Sequence, residues 1–370
     1  MQPANDDQER LSRLRLIRSE NIGPVNFVRL LDRYGSAADA LAELPEIAAR
    51  AGKRRLRIAT QAEAERETEA TMKAGARFIM IGDPDYPPLL AEIDTAPPVL
   101  AKSGDLSLLK RTTIAIVGAR NASSNGRNLC RRVAAALGEH GVTVVSGLAR
   151  GIDTEAHTAS LATGTIGVIA GGIDVPYPPE NAELQHRIGA EGLLLAEAPF
   201  GTQPRSRHFP RRNRIISGVS QGVAVIEAAM RSGSLITARQ AGEQGRDVFA
   251  VPGSPLDPRT RGTNRLIRDG AQLIESAEDI LDHIGPGGLA ERPRIRPHRE
   301  PVQVAPPEAD DVAGRSAILE ALSPEPADAD DVIRTTGLTP AQFNGLVLEL
   351  EIAGLVERHA GNRYALRAPE

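Results

Sequence analysis

The sequence predicts an α/β fold: an extended Rossmann-like parallel sheet with an N-terminal small helical domain and a C-terminal winged-helix domain. Three observations carry this. From residue 77 to about 285, short apolar runs alternate with amphipathic stretches, the pattern of strands buried between two layers of helices. Residues 9 to about 75 carry helical periodicity instead. Residues 313–370 read as three helices followed by a hairpin.

The N-terminal region, 1–76, contains the helical runs LSRLRLIRS, VNFVRLLDRYG and LRIATQAEAERETEATMKAG. Asn21-Ile22-Gly23-Pro24 separates the first two, a helix stop followed by a proline suited to a first turn. Small DNA-binding helical hairpins share this outline, and so do plain helical linker domains. In the central region, 77–285, strands are expected at 77–81, 113–117, 143–145, 165–170, 193–196, 223–226 and 247–250. Helices are expected at 124–140, 152–163, 181–190, 210–218 and 235–244. The proline-rich stretch GDPDYPPLLAEIDTAPPVLAKSGD should wrap the domain edge. Residues 286–312 are rich in proline and charge without periodicity, which predicts a mobile linker. The tail predicts helices at 315–322, 330–335 and 340–353, then a hairpin over 355–358 and 363–366.

Composition narrows the function. The length of 370 residues fits two or three domains. A single cysteine, Cys130, excludes a disulfide framework and fits a reducing compartment. The N-terminal MQPANDDQER has no apolar signal core, and no run approaches the roughly 20 apolar residues of a membrane span. A cytoplasmic protein without a membrane partner is expected. The net charge of -4 weighs against a nucleic-acid binder, but an average conceals patches. Lysine occurs only at 53, 73, 102 and 110. The region beyond therefore holds no Walker or Schiff-base lysine.

In a doubly wound sheet, ligands bind beyond the carboxyl ends of the strands. Gly118-Ala119-Arg120-Asn121-Ala122-Ser123 follows one such end and Ser146-Gly147-Leu148-Ala149-Arg150-Gly151-Ile152-Asp153 another. Small residues there would let a phosphate reach backbone N–H groups. Arg120 could fork onto it. Asp153 has two readings, phosphate loop or helix cap. Neither loop has the dinucleotide glycine spacing, so no cofactor is expected. The strongest local signal is Arg205-Ser206-Arg207-His208-Phe209-Pro210-Arg211-Arg212-Asn213-Arg214. Cations around an aromatic suit single-stranded nucleic acid, with Arg120, Arg207, Arg211, Arg212 and Arg214 on phosphates and Phe209 stacking a base. The alternative is a solvated basic helix start with Phe209 in the core. A second basic stretch, 259–268, contains Asn264. Ser232-Gly233-Ser234 offers a further helix start, with Thr237 one turn on.

Catalytic patterns are poor. No Cys/His cluster has metal-ligand spacing, and no G-x-S-x-G elbow occurs. His157 is open to a packing or a base role. Glu197 and Glu227 follow strands, as anchors for arginines or as the acid/base pair of a nucleotide or phosphoribosyl hydrolase. The expectation is no enzyme, with that hydrolase as the alternative.

VGAR at 117–120, SGLARGID at 146–153, FPRRNRIISGVS at 209–220, GSLITARQAGEQGRDVFAVPG at 233–253 and GTNRLIRDGA at 262–271 together resemble the DNA-processing protein A family, also called DprA or Smf. The resemblance implies binding of single-stranded DNA, protection of incoming strands in natural transformation and help in loading a RecA-type recombinase. It also implies a homodimer through the Rossmann-like domain and no catalytic activity. It implies DNA contacts at Arg120, Phe209, Arg211, Asn213 and Arg214, and a phosphate role for the SGLARGID loop.

The third helix of a winged-helix module commonly enters the major groove. Here that helix, 340–353, has no Lys or Arg and carries Glu349 and Glu351, and the tail holds five arginines against nine acidic residues. Duplex binding by this face is disfavoured. The tail is expected to bind protein or to regulate access to the groove.

Overall fold

A computed structural model describes residues 6–53, 55–285, 311–359 and 361–367. Most of the expected linker lies outside them. Two compact units emerge, one of residues 66–285 and one of 6–65 together with 311–367.

Residues 6–73 form α1 (Asp7–Arg18), α2 (Pro24–Tyr34), α3 (Ala37–Arg50) and α4 (Gln61–Lys73). Asp6 caps α1 and Ser36 caps α3 through side-chain oxygens, while Pro24 opens α2. Helix α3 was not among the runs read from sequence; its Pro45 breaks the pattern, yet its apolar face is buried.

In the larger unit the strands are β1 (Arg77–Met80), β2 (Val99–Gly104), β3 (Thr113–Gly118), β4 (Thr143–Ser146), β5 (Thr165–Ile169), β6 (Leu193–Ala196), β7 (Gly222–Ile226), β8 (Asp247–Ala250) and β9 (Gln272–Leu273). The helices are α5 (Pro88–Ala91), α6 (Ser124–Glu139), α7 (Ile152–Ser160), α8 (Ala182–Glu191), α9 (His208–Gly218), α10 (Gly233–Glu243), α11 (Arg261–Arg268) and α12 (Ala277–Ile284). Among the described residues these strands make one sheet in the order β1-β2-β6-β5-β4-β3-β7-β8-β9. Pairing is parallel from β6 to β9 and antiparallel at β1–β2 and β2–β6. The proline-rich stretch thus does more than wrap an edge. Its Val-Leu-Ala segment is buried and β2 lies inside the sheet. Flanking prolines and a polar second half hid it. Strands β3 to β7 are buried on both faces, and two hydrophobic clusters cover them.

The tail forms α13 (Val312–Ala321), β10 (Ala327–Asp328), α14 (Ala329–Thr336), α15 (Pro340–Ala353), β11 (Val356–His359) and β12 (Arg363–Leu366), with sheet order β10-β12-β11. This is the winged helix. Helix α15 begins with a capping box between Thr339 and Gln342 and ends at Gly354, whose φ is 76°. Among the described residues no helix is long and apolar enough to cross a membrane.

Candidate nucleic-acid interface

The chain goes from β3 outward through β4, β5 and β6, then returns to place β7 on the other side of β3. The switch point between β3 and β7 is where this fold class offers a ligand crevice. The chain fills it itself. Glu227 follows β7 with a φ of 53°. Its carboxylate accepts the Ser123 backbone N–H at 2.8 Å and also the Ser123 hydroxyl. The negative charge sits at the N-terminus of α6, which favours an anion. A Cβ on Gly126 would come within 2.7 Å of the Glu227 carboxyl carbon, so a side chain there would displace the carboxylate. Gly118 packs just as closely, with Ile226 O 1.9 Å from where a Cβ would be. The acceptor for this helix start is therefore the chain's own carboxylate, where the sequence suggested a phosphate.

The second loop is satisfied in a similar way. Asp153, buried in the first turn of α7, accepts N–H groups of Gly147 at 3.2 Å and Ala149 at 3.3 Å. It folds back on the loop and does not cap its own helix. Burial pushes its carboxyl up, against the pull of Arg212 and these two N–H groups. The Ser146 hydroxyl donates to Ile116 O at 2.6 Å. Gly151, with φ 79°, lies where a Cβ would be 2.3 Å from Ala119 O.

Arg212 reaches this loop from α9. It is buried, donates through Nη1 to Val168 O at 2.8 Å, and passes directly over Gly147. A Cβ on Gly147 would lie 1.8 Å from that Nη1. Burial lowers the Arg212 guanidinium to about 10, and Asp153 opposes the fall, so it stays cationic at neutral pH.

Beside Arg212 opens a cavity of about 200 Å³, lined among others by Arg120, Gly147, Arg150, Tyr177, Phe209 and Arg212. Phe209 is half-buried. The Arg120 guanidinium lies 5.3 Å from its ring centroid, and the Tyr177 ring lies 5.5 Å away at 50°. Tyr177 is 41% exposed. Arg150 faces Glu180 at 3.8 Å. Arg205, Arg207 and Arg211 are exposed at the start of α9. The arrangement is a cationic rim with two adjoining aromatic rings, suited to phosphate oxygens and a nucleobase face.

Of the residues singled out from sequence, Arg120, Gly147, Phe209 and Arg212 line this cavity. Others point elsewhere. Arg214 is buried and paired to Glu197 at 2.5 Å. Asn213 donates to Gly233 O at 3.3 Å. Ser234 meets the Ser232 hydroxyl at 2.6 Å, and Thr237 is buried. Asn264 brackets Gly253, accepting its N–H at 3.1 Å and donating to its carbonyl at 2.8 Å. His157 is enclosed, with Nδ1 2.7 Å from Thr165 Oγ1, and burial lowers it to about 3. It is a neutral packing residue at pH 7. Tyr177 was missed, and Arg150 was named only as part of the 146–153 loop. The Tyr-Pro-Pro-Glu run, a rigid loop bearing an aromatic, was the available signal for the first. Among the described residues no His/Cys/Asp/Glu group could hold a metal ion.

The family model for DNA recombination-mediator protein A matches residues 77–285, more than half of the chain. This chain belongs to that family. The DprA-like N-terminal HHH domain matches residues 7–70 and the DprA winged helix domain residues 302–362. Family relatives include Protein Smf of Synechocystis, 36% identical over 81% of this chain and 82% of its own length. DNA processing protein DprA of Streptococcus pneumoniae is 50% identical over 54% of this chain and 71% of its own length. The solved structure of DprA from S. pneumoniae aligns with a TM-score of 0.62 and 39% identity, covering 76% of this chain and 98% of that one. A second family structure, described for the single-stranded DNA binding mode of DNA processing protein A from Helicobacter pylori, aligns with a TM-score of 0.52 and 27% identity, covering 56% of this chain and 95% of that one.

Proposed function

We propose that this chain binds single-stranded DNA, without sequence preference and without chemistry on it, through the module at 77–285. The observation that carries the reading is the contact of Arg120 with Phe209 beside Tyr177, on the rim of a cavity floored by Arg212. Arg150, Arg205, Arg207 and Arg211 extend the cationic path for the backbone. The single-stranded DNA binding stated for the H. pylori relative supports the same reading. The family resemblance extends it to protection of incoming strands, help to a RecA-type recombinase, a homodimer through this module and a cytoplasmic setting. The hydrolase alternative loses ground because both its carboxylates are engaged, Glu197 with Arg214 and Glu227 with Ser123.

Titration of the chain with single-stranded and duplex DNA at two salt concentrations tests the proposal. Single strands should bind more tightly, with a log–log salt slope of about -0.7 per phosphate contact. Arg120→Ala with Arg211→Ala should weaken binding to all sequences and flatten the slope. Unchanged binding in that double variant, or equal affinity for duplex, would overturn it.

A further inference from the structure

The smaller unit contains two elements with the outline of a DNA reader: the α1–α2 hairpin around Asn21-Ile22-Gly23, and the third helix of the winged helix, α15. In the structure each is applied to the other. Helix α15 is buried from Leu346 to Ala353, with Glu349 fully enclosed. Its Leu346, Val347 and Leu350 join the winged-helix core with Ile318, Val332 and Tyr364. Its Leu348 and Ile352 belong to a different cluster, with Phe27, Leu30, Leu44 and Ile47 of α2 and α3. From Leu346 to Ala353 this helix lies between two cores and has no face left for a groove.

The polar contacts follow the same division. Glu349 accepts from Arg50 Nε at 3.2 Å and Arg315 Nη1 at 2.9 Å. Glu351 accepts from Arg29 Nη1 at 3.1 Å, and Arg29 Nη2 donates to the Tyr364 hydroxyl at 3.2 Å. Asn21, at the hairpin tip with φ 58°, donates to Ile352 O at 3.0 Å and accepts from Arg367 Nη1 at 3.1 Å. The acidic helix that was unfit for a phosphate backbone is complementary to arginines of the N-terminal helices.

We propose that the helical hairpin and the winged helix recognise each other rather than nucleic acid, forming one cooperative unit in which neither reads DNA. Charge decides this. The buried carboxylates of α15 need cations, and Arg29 and Arg50 supply them, whereas DNA would bring more negative charge.

Hydrogen exchange on the full chain is the test. With saturating duplex DNA, exchange over 19–30 and 343–353 should stay as in the free protein; added protection in either segment would overturn the proposal. In Arg29→Ala/Arg50→Ala, both segments should exchange faster together, by roughly tenfold or more, while 113–226 is unchanged. If 343–353 kept its protection while the N-terminal helices lost theirs, the mutual dependence would be refuted. Should that variant fail to fold, Arg29→Lys/Arg50→Lys retains the charges and should loosen both segments to equal extents; unequal loosening would refute the proposal.

Discussion

Arginines in the two units meet opposite fates. In the smaller unit Arg29, Arg50 and Arg315 are matched to Glu351 and Glu349, with Arg29 and Arg315 buried and Arg50 half-buried. In the larger unit Arg120 lies exposed at a cavity that also holds a buried Arg212 drawn on by Asp153, and Arg205, Arg207 and Arg211 are exposed at the start of α9. The same residue type is paired inside in one place and left open to solvent in the other. The difference lies in whether a carboxylate comes with it. Net charge misleads for this reason: it does not show that Asp153, Glu227, Glu349 and Glu351 are buried against partners while Arg120, Arg205, Arg207 and Arg211 stay exposed.

The comparison can be broken most strongly at Glu349. Glu349→Ala strands Arg315 in a buried site and should cost about 3–5 kcal/mol of the smaller unit's stability, read as a fall in that unit's unfolding midpoint. An unaffected midpoint would show that the pairing does not hold the unit together. In the larger unit, Gly147→Ala collides with Arg212 and should cost about 1–3 kcal/mol by thermal unfolding while weakening single-stranded DNA binding. Phe209→Ala should leave stability nearly intact and cost ~1–3 kcal/mol of binding, about 5- to 150-fold by fluorescence titration.

A smaller effect reads the burial of Glu351 by pH. Burial raises the Glu351 carboxyl to about 7, against the pull of Arg29 and Arg358. An unfolded glutamate titrates near ~4.3, so the folded unit holds the proton more tightly. That contribution is complete below the unfolded value and is lost as pH rises through about 7. The smaller unit's melting temperature should therefore fall from pH 5 to pH 8, and Glu351→Gln should flatten the fall. The smallest contrast is within α9. Arg211→Ala should reduce the salt slope by about 0.7, whereas Arg214→Ala, inward on Glu197, should leave it unchanged.

Much of the fold was legible because β3 to β8 are short apolar runs between amphipathic helices. Strand β2 was not, since half of it is polar and prolines surround it. The site was legible where chemistry is local. The arginines near Phe209 and the small loop at Gly147 announced themselves. It was illegible where direction matters. Helix α9 is buried from Arg212 to Gly218, so it has no polar stripe to tell outward Arg211 from inward Arg214. Tyr177 joins Phe209 only through tertiary folding. Arg50, which meets Glu349, and Arg29, which meets Glu351, lie some 300 residues away in the chain, a distance no local pattern spans.

Glu227 at the start of α6 has a consequence for how such a protein works amid small molecules. Helix starts at a switch point ordinarily attract free nucleotides, which abound in any cell that handles DNA. A tethered carboxylate is always present and never diffuses away, so that pocket is closed to competition. Under the proposed function the cavity beside it answers to a polymer, whose many weak contacts a lone nucleotide does not reproduce.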